Sequence, residues 1–459
     1  MACLYPRLTG LETEYGCLID DQHDLHVVVA KILSRVFGDQ RFGLIDVHPR
    51  GWDEPPGNGG FLFNGGRLYL DMGHLEYCTP ECATVSEAVL YDRAGDQLLQ
   101  SALEELDLST SVSFIRNNID HYTSATFGCH ENYLLDRNGP LTEKNLLSLL
   151  TFLSLRCLYT GAGRIGGFGP DVELPPGRKI PPKSYQGFQI TQRADYVEND
   201  FYEWVQGNRA IINTRDEPLA DPEKYRRLHL LHGDTNVLPS ALFLKLGTTR
   251  LALDLLEEDD LPSFRLADAV STQKTLSYQL DGPWNVQLGD GSTADALAIL
   301  DAYRDKAEQR FKDRDEETNA ILTLWANSLE GLRHDPDSLV GTLDWVSKRF
   351  LLQSFAEEQG IPIHDPWIAS LDLEYHNICP EKNLAFSLLG DGGNQLPWEH
   401  PAEAIHDALL QAPAKSRAAL RSRLMAQCQG GPGDYVIDWD SVHSQSGPSS
   451  SLSDPFRYE

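Results

Sequence analysis

Carboxylates at alternating positions are the first chemistry in this chain. GLETEYG carries Glu12 and Glu14 two residues apart. In a strand, residues i and i+2 share a face, so both would enter one cavity. Two carboxylates on one face repel unless a cation lies between them. Mg²⁺ is the hard ion that takes such oxygen ligands and leaves positions for phosphate. NGGRLYLD places Tyr69 and Asp71 on one face of the next such segment, and Glu76 follows after a turn. FGCHENYL spaces His130 and Asn132 two apart, and IINTRDEP with KYRRLH adds Arg215, Asp216, Glu217, Arg226, Arg227 and His229. Carboxylates, imidazoles and guanidinium groups spread over several strands are the inventory of a Mg–ATP site. Metals bridge phosphates there, and arginine takes up charge developing on a transferred phosphoryl group.

Other routes to ATP are missing from the sequence. There is no G-x-x-x-x-G-K-[ST] loop and no kinase Gly-rich loop before a strand lysine. GAGRIGGFGP (161–170) follows a helical run and lacks the G-x-G-x-x-G order, so it reads as a turn. The closest cysteines, Cys78 and Cys82, have no further ligands at zinc spacing, and the eight cysteines read as reduced thiols.

The elements that must position these groups follow from periodicity. Strands are expected at 8–17, 61–71, 112–120, 127–135, 187–197 and 209–214. Helices are expected at 23–38, 84–106, 142–160, 222–233, 240–258, 295–331, 342–358 and 402–428. Composition shifts after about 385, which predicts a catalytic domain over 1–385 and a small C-terminal domain over 386–459. Its SQSGPSSSLSD tail is low-complexity and expected to be mobile. The fold class is α+β: a large, mainly antiparallel, curved sheet with helices on one side.

Bulk properties narrow the partners. Net charge is 39 minus 68, or −29, which opposes nucleic-acid binding and an acidic membrane surface. No apolar run of spanning length and no secretory leader are seen, so a cytoplasmic location is expected.

Blocks along the chain carry a family resemblance. GLETEYG, NGGRLYLD…EYCTPEC, CHENYL, QITQRADY, IINTRDEPLADPEKYRRLH, GDTN, LKLGTT and LDLEYHNI resemble, in order and spacing, the Pup ligase and depupylase family. VIDWDS and the terminal DPF extend the match. The resemblance implies a glutamine-synthetase-like fold, ATP and Mg²⁺ as cofactors, and a Pup-like modifier and a lysine-bearing protein as partners. It implies Glu12, Tyr69, Glu76, His130 and His229 at the metal site. Glu14, Asn132, Arg193, Arg215, Glu217 and Trp439 would contact ATP, with Trp439 on the adenine. Asp71 matches the catalytic aspartate. Such an enzyme phosphorylates a carboxylate, and the acyl phosphate is then attacked by an amine. Lysine is mostly protonated near neutral pH, so a carboxylate at the attack site can take its proton.

Within the family, the short stretch from Glu12 to Asp71, CHENYL and LDWVSKRFLLQSF lean toward the ligase. The Asp71-to-Glu76 spacing and QRADYVE lean toward the depupylase. An isopeptide hydrolase, an ATP phosphatase and a ligase for another substrate therefore stay open as alternatives.

Overall fold

The computed structural model describes residues 7–51, 54–120, 125–169, 184–203, 209–389, 396–431 and 433–459. In chain order the strands are β1 (Thr9–Ile19), β2 (Gly43–Ile45), β3 (Gly59–Leu62), β4 (Arg67–Asp71), β5 (His74–Cys78), β6 (Val112–Ile115), β7 (Cys129–Asp136), β8 (Arg164–Gly167), β9 (Tyr185–Gln189), β10 (Asn199–Tyr202), β11 (Ala210–Asn213), β12 (Tyr225–Leu230), β13 (Asn285–Gln287), β14 (Thr293–Asp295), β15 (Tyr435–Asp438), β16 (Ser441–Ser444) and β17 (Ser449–Ser451). The helices are α1 (Leu25–Phe37), α2 (Val85–Glu105), α3 (Glu143–Leu155), α4 (Cys157–Thr160), α5 (Pro239–Glu257), α6 (Ala269–Tyr278), α7 (Ala296–Phe311), α8 (Glu316–His334), α9 (Asp344–Gln359), α10 (Pro366–Glu374), α11 (Ala402–Asp407) and α12 (Arg417–Cys428).

One large sheet runs β10-β11-β12-β7-β1-β5-β4-β3-β2, with β6 also pairing β1. Among the described residues only β10 and β11 pair in parallel in this sheet; the other pairs are antiparallel. The α+β architecture expected from the sequence is the one observed. Strict alternation on β1 and β7 decides which face does what. Leu11, Tyr15, Tyr133 and Leu135 point into the main core, where α2 and α5 cover the sheet. Glu12, Glu14, His130 and Asn132 point the other way and stay partly exposed. Glu131 faces the helices, and its carboxylate is met there by Arg156 at 2.6 Å.

Several helix starts are capped by side chains. Asp24 caps α1, and Thr84 with Glu87 forms a capping box on α2. Three helical runs are each split in two: Arg156 separates α3 from α4 within 142–160, α7 ends before Asp313, which sits at φ 62°, and α11 and α12 replace the single run at 402–428.

Three expectations are corrected. Residues 222–233 contain a strand, β12, which pairs antiparallel with β7 and β11. Tyr225, Leu228 and Leu231 match helical spacing by coincidence, because a buried strand can be apolar off its period. GAGRIGGFGP contains β8, whose Gly166 and Gly167 have φ of 79° and 155°, conformations that glycine alone adopts readily. Pro170 lies outside the described residues. The C-terminal tail supplies β17, and Leu452 beyond it is fully buried.

A second core joins α12 and β15–β17 through Met425, Tyr435, Ile437, Val442 and Leu452, and it packs on Leu44, Phe61 and Phe63 at the β2–β3 end of the sheet. By contrast, α11 packs on α2, and Ala408 and Leu409 belong to the main core.

Candidate active site

Strand register assembles the site. Glu12 sits opposite His130 across β1–β7, and Glu14 opposite Glu76 across β1–β5. Tyr69 is paired with Glu76 and Asp71 with His74 across β4–β5, while His229 faces Asn132 across β12–β7. All these side chains line one cavity of about 1150 Å³. Arg193, Arg215, Glu217 and Trp439 line it too, so every site residue expected from the sequence reaches the same space.

Two clusters lie side by side within it. In the first, His130 Nδ1 lies 2.9 Å from Glu12 Oε2, and Asn132 donates to Glu12 Oε1 at 2.9 Å. His229 Nε2 is 3.5 Å from Glu12 Oε2, yet among the described residues neither of its ring nitrogens has a hydrogen-bond partner. Burial opposes ionisation of Glu12, but His229 and His130 hold its carboxyl well below the usual range. Burial pushes His229 down to about 4, so its imidazole is neutral and free to ligate.

The second cluster is Glu14, Asp71 and Glu76, whose nearest ligand oxygens all lie within 4.8 Å of one another. Burial first, then Glu12, Glu14 and Asp71, pushes the Glu76 carboxyl well above its usual range. Burial also opposes the Glu14 carboxylate, but His74, His130 and the Gly128 amide hold it at about 2. Three carboxyl groups that cannot all ionise unaided, next to imidazole nitrogens without partners, fit divalent cations. Tyr69 belongs to neither cluster. Its half-buried phenol stays protonated and donates to Glu76 Oε1 at 2.7 Å, so it orients a carboxylate.

Cations surround these clusters. Arg227 donates to Asn132 Oδ1 at 3.2 Å and lies 3.6 Å from Glu217, which Arg215 meets at 2.5 Å. Arg193 is buried and donates to the Phe127 carbonyl at 2.8 Å, and among the described residues its Nε has no partner. Trp439 comes from the C-terminal unit, edge-on to Phe61 at 5.0 Å, with the Arg421 guanidinium 5.0 Å from its ring centre.

Sequence reasoning left out several wall residues. Arg67 lies on the same strand face as Tyr69 and Asp71, so the i, i+2 rule could have found it; its guanidinium stacks 4.0 Å over the Tyr69 ring. His74 was within reach of the same rule on β5. Glu81 and Arg417 carried no local signal. They pair at 2.6 Å across more than three hundred residues of sequence.

Comparison with known proteins gives a consistent result. A profile of the family described as "Pup-ligase protein" matches residues 7–443. The chain is 33% identical to a Pup–protein ligase of Corynebacterium jeikeium, over 99% of this chain and 96% of the relative. It is 32% identical to a depupylase of Acidothermus cellulolyticus, over 95% of this chain and 90% of the relative. Among solved structures, the ligase PafA in complex with Pup superposes with a TM-score of 0.83 at 31% identity, covering 100% of this chain and 91% of that one. PafA in complex with ADP gives 0.75 at 34% identity, covering 88% and 87%.

Proposed function

The chain belongs to the Pup-ligase family, and we propose that it is an ATP-dependent ligase joining the terminal carboxylate of a Pup-like modifier to a lysine amine. The observation that carries this reading is the pairing of two cation-ready clusters with Arg193 and Arg227 in one cavity, large enough for a nucleotide and an extended peptide end.

In the first step a carboxylate oxygen of the modifier attacks the γ-phosphorus of ATP. The bond to the β-phosphate oxygen breaks, ADP leaves, and an acyl phosphate remains. Arg193 and Arg215 receive the phosphate charge, and Trp439 packs against the adenine. In the second step the lysine nitrogen attacks the acyl carbon. Asp71 takes the proton and inorganic phosphate departs. Mg²⁺ held by Glu14, Glu76 and the Glu12–His130–His229 set would neutralise phosphate oxygens. Asp71 sits at the β4–β5 hairpin end beside exposed Met72, where an acceptor side chain could enter from solvent. The short stretch from Glu12 to Asp71 favours ligation over hydrolysis. In the same reading the catalytic unit runs through α11, and the C-terminal unit begins at α12 and brings Trp439 to the nucleotide. Among the described residues no helix is long and apolar enough to cross a membrane, and we place the reaction in the cytoplasm.

The test is to incubate the protein with Mg–ATP, a modifier ending in Gly-Gly-Glu and a lysine-bearing acceptor. ADP, phosphate and conjugate should form in equal amounts. Cleavage of a preformed conjugate without net ligation would favour the hydrolase reading. Phosphate release that needs neither modifier nor acceptor would favour a phosphatase.

A further inference from the structure

QITQRADY supplies only Arg193 to the cavity wall, and GDTN, LKLGTT and LDLEYHNI supply nothing to it. These four segments meet behind the wall in one buried network. Asp234 is 3% exposed, and its carboxylate accepts four hydrogen bonds. Oδ1 takes the Thr191 hydroxyl at 2.8 Å and the Arg193 amide at 3.1 Å. Oδ2 takes the Gln192 amide at 2.9 Å and the Ala162 amide at 2.8 Å. Lys245, fully buried, donates to the Asp234 carbonyl at 2.7 Å. On the far side, the Gln192 side chain accepts from the Asn118 amide at 2.7 Å and lies 2.8 Å from His376 Nε2. Lys348 joins His376 and Asp372 at 2.6 and 2.7 Å.

The Arg193 guanidinium itself is weakly held. It has one carbonyl partner and, among the described residues, no salt bridge. Its height and direction in the cavity must therefore come from its backbone. We propose that Asp234 is a positioning residue for Arg193: by gripping three consecutive residues, Thr191 to Arg193, it fixes where the guanidinium meets phosphate. The proposal rests on the reading of Arg193 as a phosphate ligand. Asparagine replaces the aspartate poorly, because its NH₂ would confront two N–H donors, of Gln192 and Ala162, at the Oδ2 position, or the Arg193 N–H at the Oδ1 position.

The experiment measures binding of ATP and of adenosine, both with Mg²⁺, to Asp234→Asn, Thr191→Val, Arg193→Ala and the Asp234→Asn/Arg193→Ala double variant. Thr191→Val removes one of the four donors and keeps the buried charge, so it serves if Asp234→Asn does not fold. Losing a hydrogen bond between charged groups costs on the order of 10- to 100-fold in affinity, so Asp234→Asn should weaken ATP by roughly that factor and Thr191→Val by less. Adenosine affinity should not change. On the Arg193→Ala background, Asp234→Asn should add nothing. Equal loss of ATP and adenosine, or full additivity in the double variant, would overturn the positioning role. If Arg193→Ala binds ATP normally, the phosphate-ligand premise fails and the proposal falls with it. If Arg193→Ala weakens ATP while Asp234→Asn and Thr191→Val do not, only the positioning role fails.

Discussion

Replacing Asp71 by asparagine separates two roles that its position allows. Asp71 lies in the carboxylate cluster with Glu14 and Glu76, so it could be a metal ligand or the base that takes the lysine proton. The electrostatics of the cluster give the two roles different signatures. Asp71 is one of the charges that push the Glu76 carboxyl up, together with burial, Glu12 and Glu14. Removing it leaves two carboxylates in the cluster and makes Glu76 easier to ionise, so the loss of one ligand is partly offset. Mg–ATP binding should then change by less than about tenfold. General-base catalysis contributes about 10²–10⁴-fold, so kcat for conjugate formation should fall by that factor. The assay follows acyl-phosphate formation and amine transfer separately, with Mg²⁺ titrated at fixed ATP. As base, Asp71 is needed only for the second step; acyl phosphate should still form, and added Mg²⁺ should not restore transfer. Even partners of metal ligands typically cost 10–100-fold in metal affinity when lost. A rise of that size or more in the Mg²⁺ requirement, with transfer rescued at high Mg²⁺, would show that Asp71 is a ligand and that the base lies elsewhere.

Three further outcomes follow from the geometry. Burial opposes the Glu81 carboxylate, but Arg421 and Arg417 hold it at about 2 against its ordinary 4.5, which corresponds to about 3 kcal/mol. Its folded-state value is depressed, so that stability is complete above pH 4.5 and fades as pH falls toward 2; melting scans between pH 6 and 3 should show Glu81→Gln losing less stability on acidification than the parent, and parallel curves would refute the assignment. At Gly95 on α2, a methyl group would lie 2.4 Å from the Tyr77 ring, so Gly95→Ala should cost about 1–3 kcal/mol despite its better helix propensity; a raised melting midpoint would contradict the packing. Arg227→Lys places an amine inside the cavity where an acyl phosphate forms, so mass spectrometry should detect an ATP-dependent modifier adduct at position 227, and its absence during active turnover would count against an acyl intermediate at that wall.

How far the sequence reveals the site depends on the range of the interactions. Strand alternation is local, so Glu12 and Glu14, Tyr69 and Asp71, and His130 and Asn132 could be placed on shared faces from spacing alone. The convergence of those faces is set by register, such as Glu14 opposite Glu76, and no single segment carries that information. β12 shows the converse. YRRLHL is short and apolar off its period, and it becomes a strand because β7 and β11 flank it. The serine-rich tail looked mobile by composition, but backbone pairing with β16 needs no apolar side chains, and one buried residue, Leu452, anchors its end. Glu81 with Arg417 and Arg421 was out of reach for the same reason. Buried ion pairs between distant segments leave no periodic trace.

Net charge poses the remaining physical problem, because a chain at −29 repels both ATP and an acidic modifier. Charges beyond about 8 Å are largely screened in physiological salt, so the cavity wall decides the matter. Histidine aside, every cationic side chain among the described residues lining it is an arginine. Guanidinium stays protonated and is a poor nucleophile, so it can face an acyl phosphate without being acylated, whereas lysine could not. Several of these arginines are already matched: Arg50 and Arg67 with Asp46, and Arg417 with Glu81. They shape the wall and add little net field. Arg193 differs, since it is buried without a salt bridge among the described residues. A buried cation of this kind is costly unless an anion completes it. The site therefore keeps one strong, unspent attraction for phosphate beside carboxylates that themselves require cations, and Mg–ATP satisfies both demands at once.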